Sequence, residues 1–263
     1  MTDLLPPPPE GGQLLTPFAA GERLPFYRVS PRRAHDIVVD QIVLGVRAGI
    51  IPVGSQLPTI EALAALTGVS KPVVGEAVRV LREHGVVSTK RGVSGGITIL
   101  NDDIPLALLR RMSDWRNATL TELVEARRPV EEELALLAGE RGTAKEFDAM
   151  RESIRLMSSE LRRGSGGSFL RYDHRFHYQI GLAARSEMLF FYQHSVLSES
   201  AAALLQYNLY HEIPELVIDT HEAMLDAIQQ RDPEAIRKAT DWHWRTSSGA
   251  FAGIEDIDLA ARR

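Results

Sequence analysis

Apolar positions recur with helical spacing three times in the first hundred residues. The stretch RAHDIVVDQIVLGVRAGI, from about Arg32, predicts a helix with four inward side chains: Ile37, Ile42, Val46 and Ile50. The short run TIEALAALT predicts a second helix with Thr59 as its N-cap, and KPVVGEAVRVLREH predicts a third that begins after Ser70. Finally, VVSTKRGVSGGITIL predicts two short strands around a Gly-rich turn.

Beyond Leu100 the pattern becomes helical almost throughout. Breaks rich in Gly, Pro, Ser and Thr separate seven predicted helices: 104–114, 119–141, 143–163, 167–185, 187–209, 213–230 and 232–250. The predicted fold is therefore mainly α, with a winged helix-turn-helix (α+β) followed by an all-α bundle of about seven helices. We divide the chain into a flexible Pro/Gly-rich arm at 1–30, the winged module at 31–100, the helical module at 101–250 and a C-terminal tail at 251–263.

Composition narrows the classes of protein and of site. The absence of cysteine excludes disulfides and Cys-ligated metals, so a metal would need His, Asp or Glu. Neither a signal peptide nor a membrane-length apolar run is visible, which predicts a cytoplasmic protein without a membrane partner. The segment from Pro31 to Leu100 has eight Lys/Arg and five Asp/Glu and is slightly basic, whereas the segment from Asn101 onward has twenty Lys/Arg and twenty-seven Asp/Glu and is acidic. This difference in charge suggests two modules with different partners.

The front module has the element order of a DNA-reading domain, in which the start of the third helix enters the major groove. The residues placed to contact phosphates or base edges lie in the two turns and the wing: Thr59, Ser70, Lys71, Lys90 and Arg91. The glycines of KRGVSGG, beginning with Gly92, let backbone approach a groove closely. A small α+β domain with no affinity for DNA has the same pattern and remains an alternative.

The rear module carries candidate metal ligands on inward helical faces. Asp173 and His177 stand four residues apart in YDHRFHYQI, in register with apolar neighbours, and His221 and His243 occupy similar positions in two later helices. If these helices converge, the donors suit Zn²⁺, Ni²⁺, Mn²⁺ or Fe²⁺. Otherwise Asp173 and His177 form a hydrogen-bonded pair without a metal, and His221 and His243 are core histidines with their own hydrogen-bond partners. The other histidines are predicted to be mostly solvated: His35, His84, His174, His194 and His211.

The amino-acid sequence of the front module resembles that of the DNA-binding domain of GntR-family bacterial repressors. The matching motifs are G-x-x-x-x-G-x-x-L-P, L-A-x-x-x-G-V-S-K, E-A-V-x-x-L and G-V-V, followed by the Gly-rich wing. The resemblance implies DNA contacts at Lys71, Arg79 and the wing cations. Two departures concern operator recognition: the family usually has Glu or Arg around Ile60-Glu61, and typically Arg at the position of Gly75.

The rear module resembles the FCD ligand-binding domain of the FadR subfamily. Its motifs are E-x-R-x-x-x-E at Glu125–Glu131, D-x-x-F-H at Asp173–His177, H-x-x-x-x-x-A-I-x-x-x-D at His221–Asp232, and a last histidine, His243. The resemblance implies that Asp173, His177, His221 and His243 bind a divalent metal, with Zn²⁺ expected in purified protein. It also implies that Arg127 binds a carboxylate effector, although a structural pair with Glu131 or Glu125 is the alternative. Thr220 departs from the family, which commonly has Glu there.

These features predict a homodimeric DNA-binding regulator, by default a repressor, that binds operator DNA and is released by a small organic acid bound near the metal. The protein is not expected to be an enzyme. A metal-dependent hydrolase or oxygenase using the His₃Asp site, and a pure metal sensor, are the alternatives.

Overall fold

The computed structural model describes residues 33–90, 92, 95–112, 120–164, 166–207 and 215–251, so the predicted arm and residues 252–263 of the tail lie outside the described residues. The front of the chain forms α1 (Ala34–Arg47), β1 (Gln56–Leu57), α2 (Ile60–Thr67), α3 (Lys71–Glu83), β2 (Val87–Lys90) and β3 (Gly96–Ile99). This order confirms the predicted winged helix-turn-helix.

The wing belongs to a three-stranded antiparallel sheet in the order β1-β3-β2. Val87 pairs with Ile99 and Lys90 with Gly96, so β2 and β3 are antiparallel neighbours along their whole length. The third strand, β1, was not predicted, because two residues before a proline show no alternation. Its Leu57 pairs with Ile97, and both side chains are buried in the core of this module.

Two of the four residues that were predicted to face inward from α1 do not do so. Ile37 lies on the opposite side of the helix, and Ile50 lies beyond its end. Ile42 and Val46 are buried as predicted, but Ile37 is 45% exposed and Ile50 is 54% exposed. Residues of an α-helix advance by about 100° each, so Ile37 lies opposite the buried stripe around Ile42 and Val46. The helix ends at Arg47, and Ile50 therefore falls in the following turn, where helical register no longer applies.

The rear of the chain contains seven helices among the described residues, which confirms the predicted all-α class. They are α4 (Leu106–Met112), α5 (Leu120–Arg141), α6 (Ala144–Arg162), α7 (Gly166–Ala184), α8 (Glu187–Tyr207), α9 (Leu216–Gln230) and α10 (Pro233–Phe251). Every end lies within three residues of its predicted position. Helix α4 packs against the front module, because Leu108 and Leu109, with Ile104 just before the helix, share a core with α1 and α3.

Helices α5, α6, α7, α9 and α10 enclose a second apolar core, which includes Leu134, Met150, Phe176 and Ile228. Helix α8 lies close to α7 at Gly181, where a Cβ atom would be 2.6 Å from the ring of Phe190 and would overlap Gln193. The close approach lets Gln193 Nε2 donate a hydrogen bond of 2.9 Å to the backbone carbonyl of His177. This packing fixes the part of α7 that carries the candidate ligands.

Candidate metal centre and DNA-reading surface

Three imidazoles from three helices meet inside the rear module. His177 of α7, His221 of α9 and His243 of α10 each offer a ring nitrogen, and these nitrogens lie within 4.8 Å of one another. The ring centroids are 5.4 Å apart for His177 and His221, 5.1 Å for His177 and His243, and 4.6 Å for His221 and His243. All three side chains are buried. The helices therefore converge as a shared metal site would require.

Asp173 joins the cluster from one turn earlier on α7. Its Oδ1 lies 3.1 Å from Nε2 of His221, and its side chain is 14% exposed. Burial acts to raise the pKa of Asp173, but the contact with His221 and the neighbouring His177 outweigh it and hold the pKa well below its usual value. The structure thus brings an ionised carboxylate to the three imidazoles.

Each imidazole is oriented by a partner on its other nitrogen. His221 Nδ1 donates to the backbone carbonyl of Val217 at 2.6 Å. The Thr220 hydroxyl donates to the same carbonyl at 2.7 Å, so it accepts from His243 Nδ1 at 3.0 Å. His177 Nδ1 lies 2.6 Å from Oε2 of Glu131. The hydrogen bonds of His221 and His243 place a proton on Nδ1, and the contact of His177 Nδ1 with Glu131 favours the same arrangement. In each ring Nε2 is therefore the nitrogen that can bind a metal once it carries no proton.

The donor set fits a divalent transition metal. Burial, together with the neighbouring His221 and His177, lowers the pKa of His243 well below its usual value, so this ring is neutral near pH 7. Nε2 of His177 is buried and has no hydrogen-bond partner among the described residues. Three imidazoles, which bind a metal in their neutral form, and a carboxylate are a donor set that Zn²⁺ and similar ions accept.

Arg127 lies directly behind this cluster, on α5. Its Nε donates to Oε1 of Glu131 at 2.9 Å, and its guanidinium is 4.8 Å from the centre of the Trp244 ring. Burial acts to raise the pKa of Glu131, but Arg127 and His177 together lower it below its usual value. The structural pair of Arg127 with Glu131, the alternative to an effector-binding role, is therefore present. Glu125 is exposed.

Two matches to known families cover most of the described chain. Residues 35–97 match the family described as "Bacterial regulatory proteins, gntR family", and residues 122–246 match the FCD domain. The Mycobacterium gastri protein RmpR, named an HTH-type transcriptional regulator, is 30% identical over 240 residues, covering 88% of this chain and 83% of the relative. The chain belongs to the GntR family. It is a transcriptional regulator with a C-terminal FCD domain, as the sequence predicted.

Other relatives of this GntR regulator cover nearly its whole length. The Glc operon transcriptional activator of Escherichia coli K12 is 26% identical over 245 residues, covering 90% of this chain and 92% of the relative. The E. coli repressor NanR is 23% identical over 239 residues, covering 89% and 90%. The structure of E. coli McbR/YncC shares the fold, with a TM-score of 0.50 and 16% identity over 85% of this chain and all of that chain. The names of the two curated relatives and of the matched family are those of transcription regulators, which confirms the prediction of a transcriptional regulator rather than an enzyme.

The predicted DNA contacts of the GntR module lie around the start of α3 and the wing. Thr59 caps α2 by accepting from the amide of Ala62 at 3.2 Å, whereas Ser70 stands at the N-cap of α3 without a side-chain capping bond. Lys71 is 62% exposed, with its Nζ 3.1 Å from Glu61. In the wing, Lys90 and Gly92 are exposed, and Gly92 has the positive φ of 108° that favours glycine. Arg91 lies outside the described residues.

Arg79 and Gly75 have different surroundings on the same helix. Arg79 donates to Glu76 at 2.8 Å and also to Glu83, and these pairs raise the pKa of Arg79. Its charge is therefore largely neutralised within α3. At Gly75 an added Cβ would meet nothing within 4 Å, so the helix has room for the side chain that the family typically has there.

Two histidines that were predicted to be solvated are buried, so that prediction was wrong for them. His174 is fully buried against Arg47, and His194 lies next to Ser198 on α8. His35 and His84 are half-buried, and His211 lies outside the described residues. The periodicity of α7 indicates one inward face, whereas this helix packs against neighbours on several sides.

Among the described residues, none of the helices has the length and apolar character of a membrane span.

Proposed function

We propose that the protein is a homodimeric repressor of the FadR subfamily whose affinity for operator DNA is controlled by a divalent metal and a small carboxylate in the FCD domain. The observation that carries this proposal is the convergence of His177, His221 and His243, with Asp173 beside them, directly in front of the buried pair of Arg127 and Glu131.

The four proposed ligands are Asp173, His177, His221 and His243, with Zn²⁺ as the ion expected in purified protein. A bound divalent ion would supply positive charge and open coordination positions for an anionic group. Glu131, Thr220 and the Val217 carbonyl hold the three rings in the orientation that binding needs. Each of these residues therefore contributes to metal affinity through the orientation of an imidazole.

Arg127 is the proposed effector-binding residue. Its Nε is engaged by Glu131, so a ligand carboxylate would be met by the two terminal nitrogens of the guanidinium. Trp244, which stacks on Arg127, and Glu131 together fix the plane of that guanidinium. A carboxylate shared between the metal and Arg127 explains why a buried cation stands next to a cluster of metal-binding type. This arrangement favours an organic acid effector over a pure metal sensor.

A homodimer follows from the way such modules read DNA. A protein with two-fold symmetry places two recognition helices on two half-sites of an operator. Lys71, Lys90, Arg91 and the backbone at Gly92 are the proposed contacts, with Thr59, Ser70 and Arg79 flanking them. Metal and effector change operator affinity by binding one arrangement of the two front modules more tightly than the other. Operator DNA of a bacterial regulator lies in the cytoplasm, and we place the protein there.

Native mass spectrometry with elemental analysis tests the proposal on untagged full-length protein. The proposal predicts a dimer with one divalent ion in each chain and, where the effector is retained, an added mass that collisional activation removes. A metal-free protein that binds no Zn²⁺ on titration contradicts the proposed control site, and a monomer at the concentration at which DNA is bound contradicts the proposed dimer.

A further inference from the structure

Helix α7 has a second functional side beside the one that carries Asp173 and His177. Five of its other residues contact the front module or the segment that follows it: Arg171, His174, Arg175, Tyr178 and Gln179. Their spacing of three or four residues marks one continuous stripe on the helix. The same rigid element therefore contacts the imidazole cluster on one side and the DNA-reading module on another.

Arg47, the last residue of α1, makes the most buried of these contacts. Its Nη2 donates to Nδ1 of His174 at 2.6 Å, and its Nη1 donates to Ser198 at 3.4 Å. Its guanidinium lies 5.4 Å from the centre of the Tyr178 ring. Only 6% of Arg47 is exposed. A buried guanidinium with directional bonds fixes the end of α1 against α7, since moving either helix breaks charge-assisted hydrogen bonds in a dry environment.

The turn after α1 and the segment after β3 are held by the same stripe. Gln179 Nε2 donates to the backbone carbonyl of Ala48. At Gly49, where φ is +72°, a Cβ atom would lie 2.5 Å from Nε of Arg175, so the backbone and that guanidinium are in close contact. Arg171 donates to Asp102 at 2.7 Å. This stripe of α7 therefore contacts the turn after α1, at Ala48 and Gly49, and the segment after β3, at Asp102.

His174 connects the two sides of the helix. Because Nδ1 accepts from Arg47, the ring carries its proton on Nε2, which lies 3.9 Å from Oδ2 of Asp173. The ring is fully buried. A displacement of Asp173 towards this ring is passed on to the groups packed around the ring, since a close-packed interior transmits displacements to its neighbours. One of the groups in contact with the His174 ring is the guanidinium of Arg47, at 2.6 Å.

We propose that α7 couples the histidine cluster to the DNA-reading module, with Arg47 as the positioning residue that fixes α1. Helix α1 shares its core with α3, so a change at Arg47 reaches the recognition helix through packed apolar side chains. The coupling rests on the proposed function, because it needs a divalent ion to bind at the cluster. It goes beyond that function by naming the route through which the ion acts.

Hydrogen–deuterium exchange of the full-length protein, with and without Zn²⁺ alone, tests the coupling. In the wild type we expect Zn²⁺ to slow exchange in α7 and α9 and also at residues 44–51, the latter by about fivefold or more, the lower end of typical coupling. Arg47→Met keeps an unbranched apolar side chain in place of the arginine stem and removes its donors, so it should lose the effect at 44–51 while α7 and α9 still respond. Arg151→Met is the matched control, since Arg151 is exposed on α6 and bonds only within the rear module in the described chain.

The outcomes separate the coupling from the site itself. Wild-type protein that takes up Zn²⁺ and responds in α7 and α9 but not at 44–51 overturns the coupling and leaves the metal site standing. Protein that binds no Zn²⁺ overturns both. An undiminished response at 44–51 in Arg47→Met removes Arg47 from the route. If that variant does not fold, Gln179→Ala, which removes the bond to Ala48, should weaken the response at 44–51 in its place.

Discussion

Oε2 of Glu131 lies 2.6 Å from Nδ1 of His177, while Oε1 of the same carboxylate accepts a hydrogen bond from Arg127. One buried anion therefore holds both a proposed metal ligand and the proposed effector-binding residue. A change in either partner alters the charge and position that the other experiences. The pair of oxygens gives a physical reason for metal and effector to bind cooperatively.

Replacing Glu131 by Gln should weaken metal binding. The substitution preserves size but removes the anionic acceptor behind His177, and loss of such a partner lowers metal affinity by about 10- to 100-fold. A competition titration with a chromophoric chelator measures the Zn²⁺ affinity, and thermal unfolding checks the fold. Glu133→Gln, at an exposed position of the same helix, is the control and should bind as the wild type does. Equal affinities for the two variants would show that Glu131 does not orient the site.

The hydroxyl of Thr220 should matter for a similar reason. Thr220→Val removes the acceptor of His243 Nδ1 with little change in shape, so we expect Zn²⁺ affinity to fall by about tenfold, the lower end of such effects. Thr240→Val is a close control, because Thr240 is also buried and its hydroxyl has no hydrogen-bond partner among the described residues. The same chelator titration compares them. Indistinguishable affinities would contradict the orienting role of Thr220.

Lys71 and the wing should account for part of the salt dependence of DNA binding. Lys71→Ala combined with Arg91→Ala should weaken binding to DNA from the protein's own promoter region. The slope of log affinity against log salt should become shallower by about one for each phosphate that the variant no longer neutralises. Fluorescence anisotropy at several salt concentrations gives the slope. Lys238→Ala, an exposed lysine on α10, should leave it unchanged. An unaltered slope in the double variant means that the DNA-reading surface has been placed wrongly.

Gly75→Arg should strengthen DNA binding and stabilise the front module. An added Cβ meets nothing within 4 Å, and replacing a helical glycine by a good helix former gains up to about 1 kcal/mol. The new guanidinium stands on the recognition helix, where a cation can reach phosphate or base edges. Thermal unfolding and anisotropy report the two effects. A higher melting temperature without tighter DNA binding would show that this face of α3 does not contact DNA.

The sequence predicts best those features that depend on neighbouring residues, namely helix ends marked by Gly, Pro or an N-cap and helices marked by apolar periodicity. Helix ends in the rear module follow from Gly, Pro and N-cap residues such as Thr143, whose capping box with Glu146 is present. The front module followed from the spacing of its turns. Strand β1 could not be predicted, because its two residues are extended only through pairing with β3.

For the candidate site, the inward register of His177, His221 and His243 is visible in each helix separately, whereas their convergence depends on how α7, α9 and α10 pack. The polar contact of Arg47 with His174 joins residues 127 positions apart and leaves no periodic signal. A helix buried on several sides cannot be assigned from one apolar stripe, so the periodicity of α7 does not predict the burial of His174. Long-range polar pairs of this kind require the structure.

Metal content is the most direct measure of whether the histidine cluster is a control site. Wild-type protein and the His177→Ala/His221→Ala double variant, both purified without a His tag and dialysed against Zn²⁺-free buffer after loading, are compared by elemental analysis. We predict about one Zn²⁺ per chain in the wild type and essentially none in the variant, since two of the four ligands are gone. Equal metal content in the two proteins, or none in either, would contradict the account.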